Sequence, residues 1–391
     1  MTYSKQTMEA VELLQRLIAT PSVSRDETAA ADVMEGFLNE KSKEMKGAFG
    51  VNRHGNNVWC VPSVFDDSKP TVLLNAHIDT VKPVAGWQRD PFAPVFEGEV
   101  LDDAFGRGDV LYGLGSNDCG GGLVALMEVF LIHNSDFKNH NSEFTNLCEQ
   151  SDLRLHDCHA EKGMNLIYLA SCEEEVSGKN GIESVLPLLP KIDFAIVGEP
   201  TGMQPAIAEK GLMVIDATAH GKAGHAARNE GDNAIYHAVK DIEWLSRWQF
   251  PKQTELLGPV KNTVTIVNAG TQHNVIPDTC TFTIDVRSNE CYTNEEIFAF
   301  LQEHLTSELK ARSFRLSSSR IDMDHPFVKA CIREGLTPFG SPTLSDQALM
   351  RFPSLKLGPG DSSRSHTADE YIKISEIDEA ISLYGKLLVG S

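Results

Sequence analysis

The 391-residue chain is 41% hydrophobic and exceeds the size at which a single core usually keeps growing, so two domains are the expectation. With 55 Asp and Glu against 35 Lys and Arg, its formal charge of -20 repels polyanions, which sets aside nucleic acid and anionic membrane as partners. The N-terminal segment has no apolar run of signal-peptide or membrane-span length and the eight cysteines form no CxxC pair, so a cytoplasmic protein with free thiols is expected.

Helical periodicity runs from Glu9 to Ile18 and again from about Glu27 to Asn39. Strands follow over 56–61 and 71–75. The second delivers Ala76-His77-Ile78-Asp79 at its C-terminal end, where an open α/β sheet binds ligands. The Pro-, Gly- and Asp-rich stretch 87–117 reads as loops and short hairpin strands, and the glycine loop Tyr112 to Gly122 places Asp118 at the entrance of an apolar helix over 123–133. Residues 134–162, with His140, His156 and His159, have no compact ligand spacing and read as a solvated excursion rather than a metal-binding tract. A strand over 164–170 ends in Ser171-Cys172-Glu173-Glu174-Glu175, and one over 194–197 ends in Gly198-Glu199-Pro200-Thr201.

A change of rhythm follows. A strand over 212–219, a helix over 233–245, strands over 262–268 and 280–286, a helix over 294–309 and a strand near 313–318 make a compact α+β order, predicting a smaller inserted domain at 210–322. Segments 1–209 and 323–391 then form one discontinuous domain, closed by a helix over 326–334, a strand over 354–357 leading into Gly358-Pro359-Gly360, and an amphipathic helix over 377–388. The expected fold class is α/β: an open mixed sheet with helices on both faces, plus the α+β insert.

Two zinc ions about 3.5–4 Å apart need nitrogen and oxygen ligands from several rigid elements and a carboxylate able to bridge them. His77, Asp118, Glu175, Glu199 and His366 each stand at the end of a predicted strand or in a loop beside one. Singly each is weak, and Asp118 reads equally well as a helix cap.

In their order, Ala76-His77-Ile78-Asp79-Thr80-Val81, Gly113-Leu114-Gly115-Ser116-Asn117-Asp118, Glu173-Glu174-Glu175, Gly198-Glu199-Pro200-Thr201 and Gly358-Pro359-Gly360 with His366 resemble the co-catalytic zinc deacylases and carboxypeptidases. That family includes acetylornithine deacetylase and succinyl-diaminopimelate desuccinylase. The resemblance implies that His77 and Glu199 bind one zinc, Glu175 and His366 the other, and that Asp118 bridges both. It makes Asp79 the partner that orients the His77 imidazole, with a turn cap as the alternative, and Glu174 the general base; a slip of one residue would make Glu173 the base instead. His225, in Gly221-Lys222-Ala223-Gly224-His225-Ala226-Ala227, would donate to the developing oxyanion, or serve only as a structural histidine near a turn. Arg287 would grip the substrate carboxylate through its guanidinium fork with Asn274 near the same place, unless Arg287 is an exposed sheet residue.

The same resemblance implies a zinc-dependent amidohydrolase with two Zn2+ per subunit and Co2+ as a functional substitute. It makes the insert a lid and dimerisation domain, the assembly a homodimer, and the substrate a small carboxylated N-acyl amino acid. N-acetyl-L-ornithine comes first, with arginine biosynthesis as the context, while N-succinyl substrates and dipeptides stay open. A noncatalytic small-molecule binder is the reading from a different class. The chain departs from the family pattern at Asp118-Cys119-Gly120, where relatives commonly carry Asp-Met-Lys. Cys119 could be taken as a thiolate ligand, but Asp118 already fills the family's role there.

Overall fold

Strands without polar alternation are covered on both faces, and Thr71–His77, Asn165–Ser171 and Phe194–Val197 are buried at every position. They form the centre of a sheet whose spatial order is Phe49–His54, Asn57–Pro62, Asn165–Ser171, Thr71–His77, Phe194–Val197, Ser354–Lys356. The first two joins are antiparallel and the last three parallel, so four strands end at the same edge. The computed structural model describes residues 3–99, 108–135, 163–228 and 230–389; His140, His156 and His159 lie outside them.

The chain divides into two units, one of Met1–Ile207, Ile321–Pro338 and Met350–Ser391, the other of Ala208–Arg320 and Phe339–Leu349. In the first, helices lie on both faces of the mixed sheet. Helix Gly121–Asn134 is buried along its whole length from Gly121 to Leu131, as its lack of a polar face requires. It packs on the Thr71–His77 and Asn165–Ser171 strands and is flanked by helices Lys5–Ile18 and Ile374–Tyr384. Its approach to the sheet depends on Gly122, where a Cβ would lie 1.8 Å from the Gly198 carbonyl oxygen. Glu128 is the exception inside this helix: it is 2% exposed, its Oε1 has no hydrogen-bond partner, and burial, with the Glu9 charge adding to it, pushes its carboxyl up to about 8.

The second unit is an antiparallel sheet in the order Lys261–Ala269, Thr279–Arg287, Met213–His220, Glu308–Ala311. Alternation along Met213–His220 turns Met213, Ile215, Ala217 and Ala219 into the core. Helix Ala234–Arg247 packs on three of these strands, capped by the Asn233 side chain, and Asn294–His304 opens with a Thr293–Glu296 capping box.

Three segments differ from the sequence expectation. The expected helix over 294–309 stops at His304, because the buried Asp241 carboxylate accepts from the backbone amides of Thr306 and Ser307 and turns the chain into the edge strand Glu308–Ala311. No strand occupies 313–318; Ser319–Arg320 pairs with Ala208 and Glu209 instead. Phe339–Leu349, expected to continue the first domain, belongs to the second unit, where the Glu209 carboxylate accepts from Ser345 and the Gln347 amide. The free cysteines include Cys60, Cys119, Cys172, Cys280, Cys291 and Cys331. No helix among the described residues is long and apolar enough to cross a membrane.

Candidate metal centre

Each parallel strand of the first unit hands over a chemically active residue as it ends. Thr71–His77 ends in His77, Asn165–Ser171 leads into Glu173-Glu174-Glu175, Phe194–Val197 into Glu199, and Ser354–Lys356 into the glycine turn that precedes His366. Asp118 arrives from the loop before the central helix. These side chains meet at the C-terminal edge of the sheet.

Asp118 stands between the two imidazoles. Its Oδ1 is 3.3 Å from His77 Nε2 and its Oδ2 is 3.6 Å from His366 Nε2. On the His77 side, Nε2 also lies 3.8 Å from Glu199 Oε1 and 4.0 Å from Glu174 Oε2. On the other side, His366 Nε2 lies 3.0 Å from both Glu175 oxygens. The His77 ring is held by its far nitrogen: Nδ1 donates to the Asp79 main-chain oxygen at 2.8 Å, so that Nε2 is the nitrogen facing Asp118 and Glu199. His366 takes a left-handed backbone, φ +57, uncommon for a side chain of its size.

Four carboxylates around two imidazoles are unstable without positive charge. The protons held by the site register that strain: burial and the charge of Asp118 push the Glu199 carboxyl up to about 8, and the hydrogen bond to Glu175, against the opposing effect of burial, raises His366 to about 9. Glu199 Oε1 is buried without a hydrogen-bond partner although it points at this cluster. An unsatisfied carboxylate oxygen, imidazole nitrogens and a carboxylate reaching both sides are the donor types that divalent zinc takes. The residues present therefore fit a pair of metal ions.

Residues 73–149 match the profile described as Peptidase family M20/M25/M40, and residues 207–313 match that of the Peptidase dimerisation domain. Over these two segments the chain resembles the M20 peptidase family. It is 26% identical over 409 residues to acetylornithine deacetylase of Proteus mirabilis, covering 97% of this chain and 95% of that one. It is 21% identical over 420 residues to succinyl-diaminopimelate desuccinylase 2 of a Ruegeria species, covering 98% and 95%. Among solved structures, a Bacillus subtilis protein described as a dinuclear metal binding peptidase of the M20 family shares the fold with a TM-score of 0.63 at 16% identity, covering 98% of each chain.

The glutamate triplet separates by environment. Glu173 is nearly buried in a left-handed conformation, φ +55, with its carboxylate bound to the Asn180 amide and backbone, while its own N–H donates to Glu27. Glu174 points to the cluster. The turn is held by Asp79, whose carboxylate accepts from the amides of Glu174 and Glu175 and from the Ser24 hydroxyl; its nearer oxygen is 3.7 Å from His77 Nδ1. Asp79 thus touches the imidazole through its backbone and the glutamates through its side chain. Sequence reasoning missed Ser24 and Glu27, which have no motif of their own.

Cys119 is buried, its thiol pushed up to about 12 by burial, and its Sγ accepts from the His77 backbone amide at 3.2 Å. It lies near His77 and Glu199, while the Asp118 carboxylate is the one that reaches both His77 and His366. Gly120 leaves no room for the family's longer residue, since a Cβ there would meet the Gly115 oxygen at 2.3 Å and Leu14 at 2.6 Å.

The remaining candidates lie in the second unit. His225 pairs with Val275 in a two-stranded ribbon, and the Asn274 main-chain oxygen accepts from Ala226 N, so His225 and Asn274 are neighbours. His225 is exposed, and its Nδ1 accepts from Ala227 N at 3.1 Å, which leaves the proton of the neutral ring on Nε2 as an outward donor. Arg287 is not brought to them. It closes the Thr279–Arg287 strand at the end away from the ribbon, roughly 25 Å along an extended strand, and its guanidinium is forked onto Asp285 at 2.8 and 3.1 Å. One strand cannot present Arg287 and Asn274 to a single carboxylate within one chain.

Proposed function

We propose that the chain is a two-metal amidohydrolase that releases the acyl group from a small N-acyl amino acid, with N-acetyl-L-ornithine as the first substrate. The observation that carries this reading is the placement of the two Asp118 oxygens toward His77 and His366. His77 and Glu199 would hold one zinc, Glu175 and His366 the other, with Asp118 shared between them. Two such ions would supply the positive charge that polarises the scissile carbonyl and lowers the pKa of the attacking water.

The protein's own residues do the rest. Glu174, fixed by the Asp79 side chain through its backbone amide, takes the proton of the attacking water and returns it to the departing amine. His225 offers its Nε2–H to the oxyanion, a donor worth more in the transition state than in the ground state. Arg287 exchanges Asp285 for the substrate carboxylate, and Asn274 serves from the His225 ribbon. Because that ribbon and Arg287 are separated within one chain, a homodimer in which His225 and Asn274 serve the neighbouring subunit's substrate is the assembly this reading favours. Cytoplasmic arginine biosynthesis is the corresponding setting.

A panel of N-acetylornithine, N-succinylornithine, N-acetylcitrulline, N-succinyl-diaminopimelate and dipeptides, assayed with zinc- and cobalt-loaded protein beside Glu174→Gln, tests the reading. Acetylornithine turnover lost in the variant supports it. Turnover of a succinyl substrate or dipeptide alone moves the assignment to desuccinylase or dipeptidase. No turnover by any metallated sample favours a noncatalytic binder.

A further inference from the structure

The loop that carries Asp118 has an anion of its own. Gly115, at φ +77, begins a curl in which the amides of Gly115, Asn117 and Asp118 turn inward, the concave arrangement of backbone N–H groups that binds anions. The Glu370 carboxylate fills it. One oxygen accepts from Asn117 N and Asp118 N, both at 2.9 Å, and the other from Gly115 N at 3.2 Å. Glu370 is 2% exposed and stands four residues after His366 on the loop that supplies that imidazole.

A reciprocal bond ties the same two loops. The Asn117 side chain donates to Asp361 O at 3.1 Å and accepts from Asp361 N at 3.0 Å. Asn117 holds the His366 loop by side chain, whereas Glu370 holds the Asp118 loop by backbone. Burying a further carboxylate beside Asp118 is unfavourable, and three amide donors offset part of that cost. A glutamine could accept from Asn117 and Asp118 but would turn an N–H toward the Gly115 amide. A neutral residue that merely filled the space would leave these buried donors unmet.

We infer that Glu370 is a positioning residue of the metal centre: seated among the amides of Gly115, Asn117 and Asp118, it sets the backbone from which Asp118 reaches both His77 and His366. The inference rests on the two-metal reading above. Glu370 touches neither substrate nor metal, and acts by fixing the shared ligand relative to the loop of the second imidazole.

The test compares wild type, Glu370→Gln and Glu370→Asp as full-length protein. Zinc affinity is read by competition with a chromophoric chelator, the cobalt-loaded visible spectrum reports ligand geometry, and thermal unfolding is followed in the metal-free state. Glu370→Gln is expected to weaken zinc binding about 10- to 100-fold and alter the cobalt spectrum, with kcat falling more than KM rises. Glu370→Asp, which keeps the charge but is one methylene short, falls between the two and serves as the readout if Glu370→Gln fails to fold. Wild-type zinc affinity and cobalt spectrum in a folded variant overturn the positioning role, even if metal-free stability drops. Failure of the wild type to bind zinc or cobalt overturns the two-metal reading, and this inference with it.

Discussion

The Asp79 carboxylate serves Glu174 rather than His77: its Oδ1 accepts from the Glu174 amide at 3.0 Å and lies 3.7 Å from the imidazole nitrogen, which bonds the Asp79 carbonyl instead. One residue thus holds a candidate metal ligand with its backbone and the candidate base with its side chain. Substituting the side chain should separate these tasks.

Asp79→Asn is accordingly expected to lower kcat about 10- to 100-fold while zinc stoichiometry stays at the wild-type value. The new amide would have to present an N–H to a backbone donor at Glu174 or Glu175. Activity measured beside metal content checks this; loss of zinc with unchanged turnover per bound metal would place the carboxylate behind His77 after all.

His225→Ala should reduce kcat by roughly 10²–10³-fold, the usual loss for an oxyanion donor. Because His225 is exposed and pairs only in a short ribbon, the unfolding midpoint should stay where it is. Steady-state kinetics and a thermal melt read the two quantities separately, and an unchanged kcat would return His225 to a structural role.

Removing metal should destabilise the first unit, because Asp118, Glu174, Glu175 and Glu199 are left facing one another. An ion present at 100 times its dissociation constant stabilises by about 2.7 kcal/mol, so dialysis against a chelator should lower the melting temperature and zinc or cobalt should restore it. Glu199→Gln should bind zinc more weakly, yet melt higher than wild type in the metal-free state at pH above 8, where the Glu199 carboxyl ionises.

Glu128 makes a prediction about pH. Its folded carboxyl is raised from the ordinary value of 4.5 to about 8, so between those values the folded state holds a proton that the unfolded chain has released. Stability from this group is therefore greatest below pH 4.5 and declines as pH rises toward 8, by at most ~5 kcal/mol at about 1.36 kcal/mol per unit. Denaturant titrations of wild type and Glu128→Gln across that range should diverge, with the variant more stable at the alkaline end. Parallel curves would mean that the side chain reaches solvent.

Gly120→Ala should cost about 1–3 kcal/mol or more, since its Cβ would press on the Gly115 carbonyl. The common Met-Lys pair of relatives should not be transplantable at Cys119-Gly120 without loss of stability, which a melt of the double substitution checks.

The strand ends were legible in the sequence because apolar runs stop abruptly at His77, at the glutamate triplet and at Glu199. The partner of the Asp79 carboxylate was not, since it depends on the left-handed turn at Glu173. The end of the helix at His304 was also hidden: the periodicity continues beyond it, and the residue that stops it, Asp241, is far away in sequence. The same distance concealed Phe339–Leu349, whose partner Glu209 precedes it by most of the second unit. Arg287 and Asn274, close in sequence, are parted by the length of a strand.

His366 and the Ser354–Lys356 strand follow the whole segment Ala208–Arg320 in the chain. During synthesis at about 5–20 residues per second, four of the five candidate ligands emerge many seconds before the fifth. Throughout that interval the Phe194–Val197 strand has an uncovered apolar edge, a template for pairing with another chain. The nascent protein therefore presents that edge while its second unit is being made, and its candidate metal centre is complete only once His366 has followed that unit.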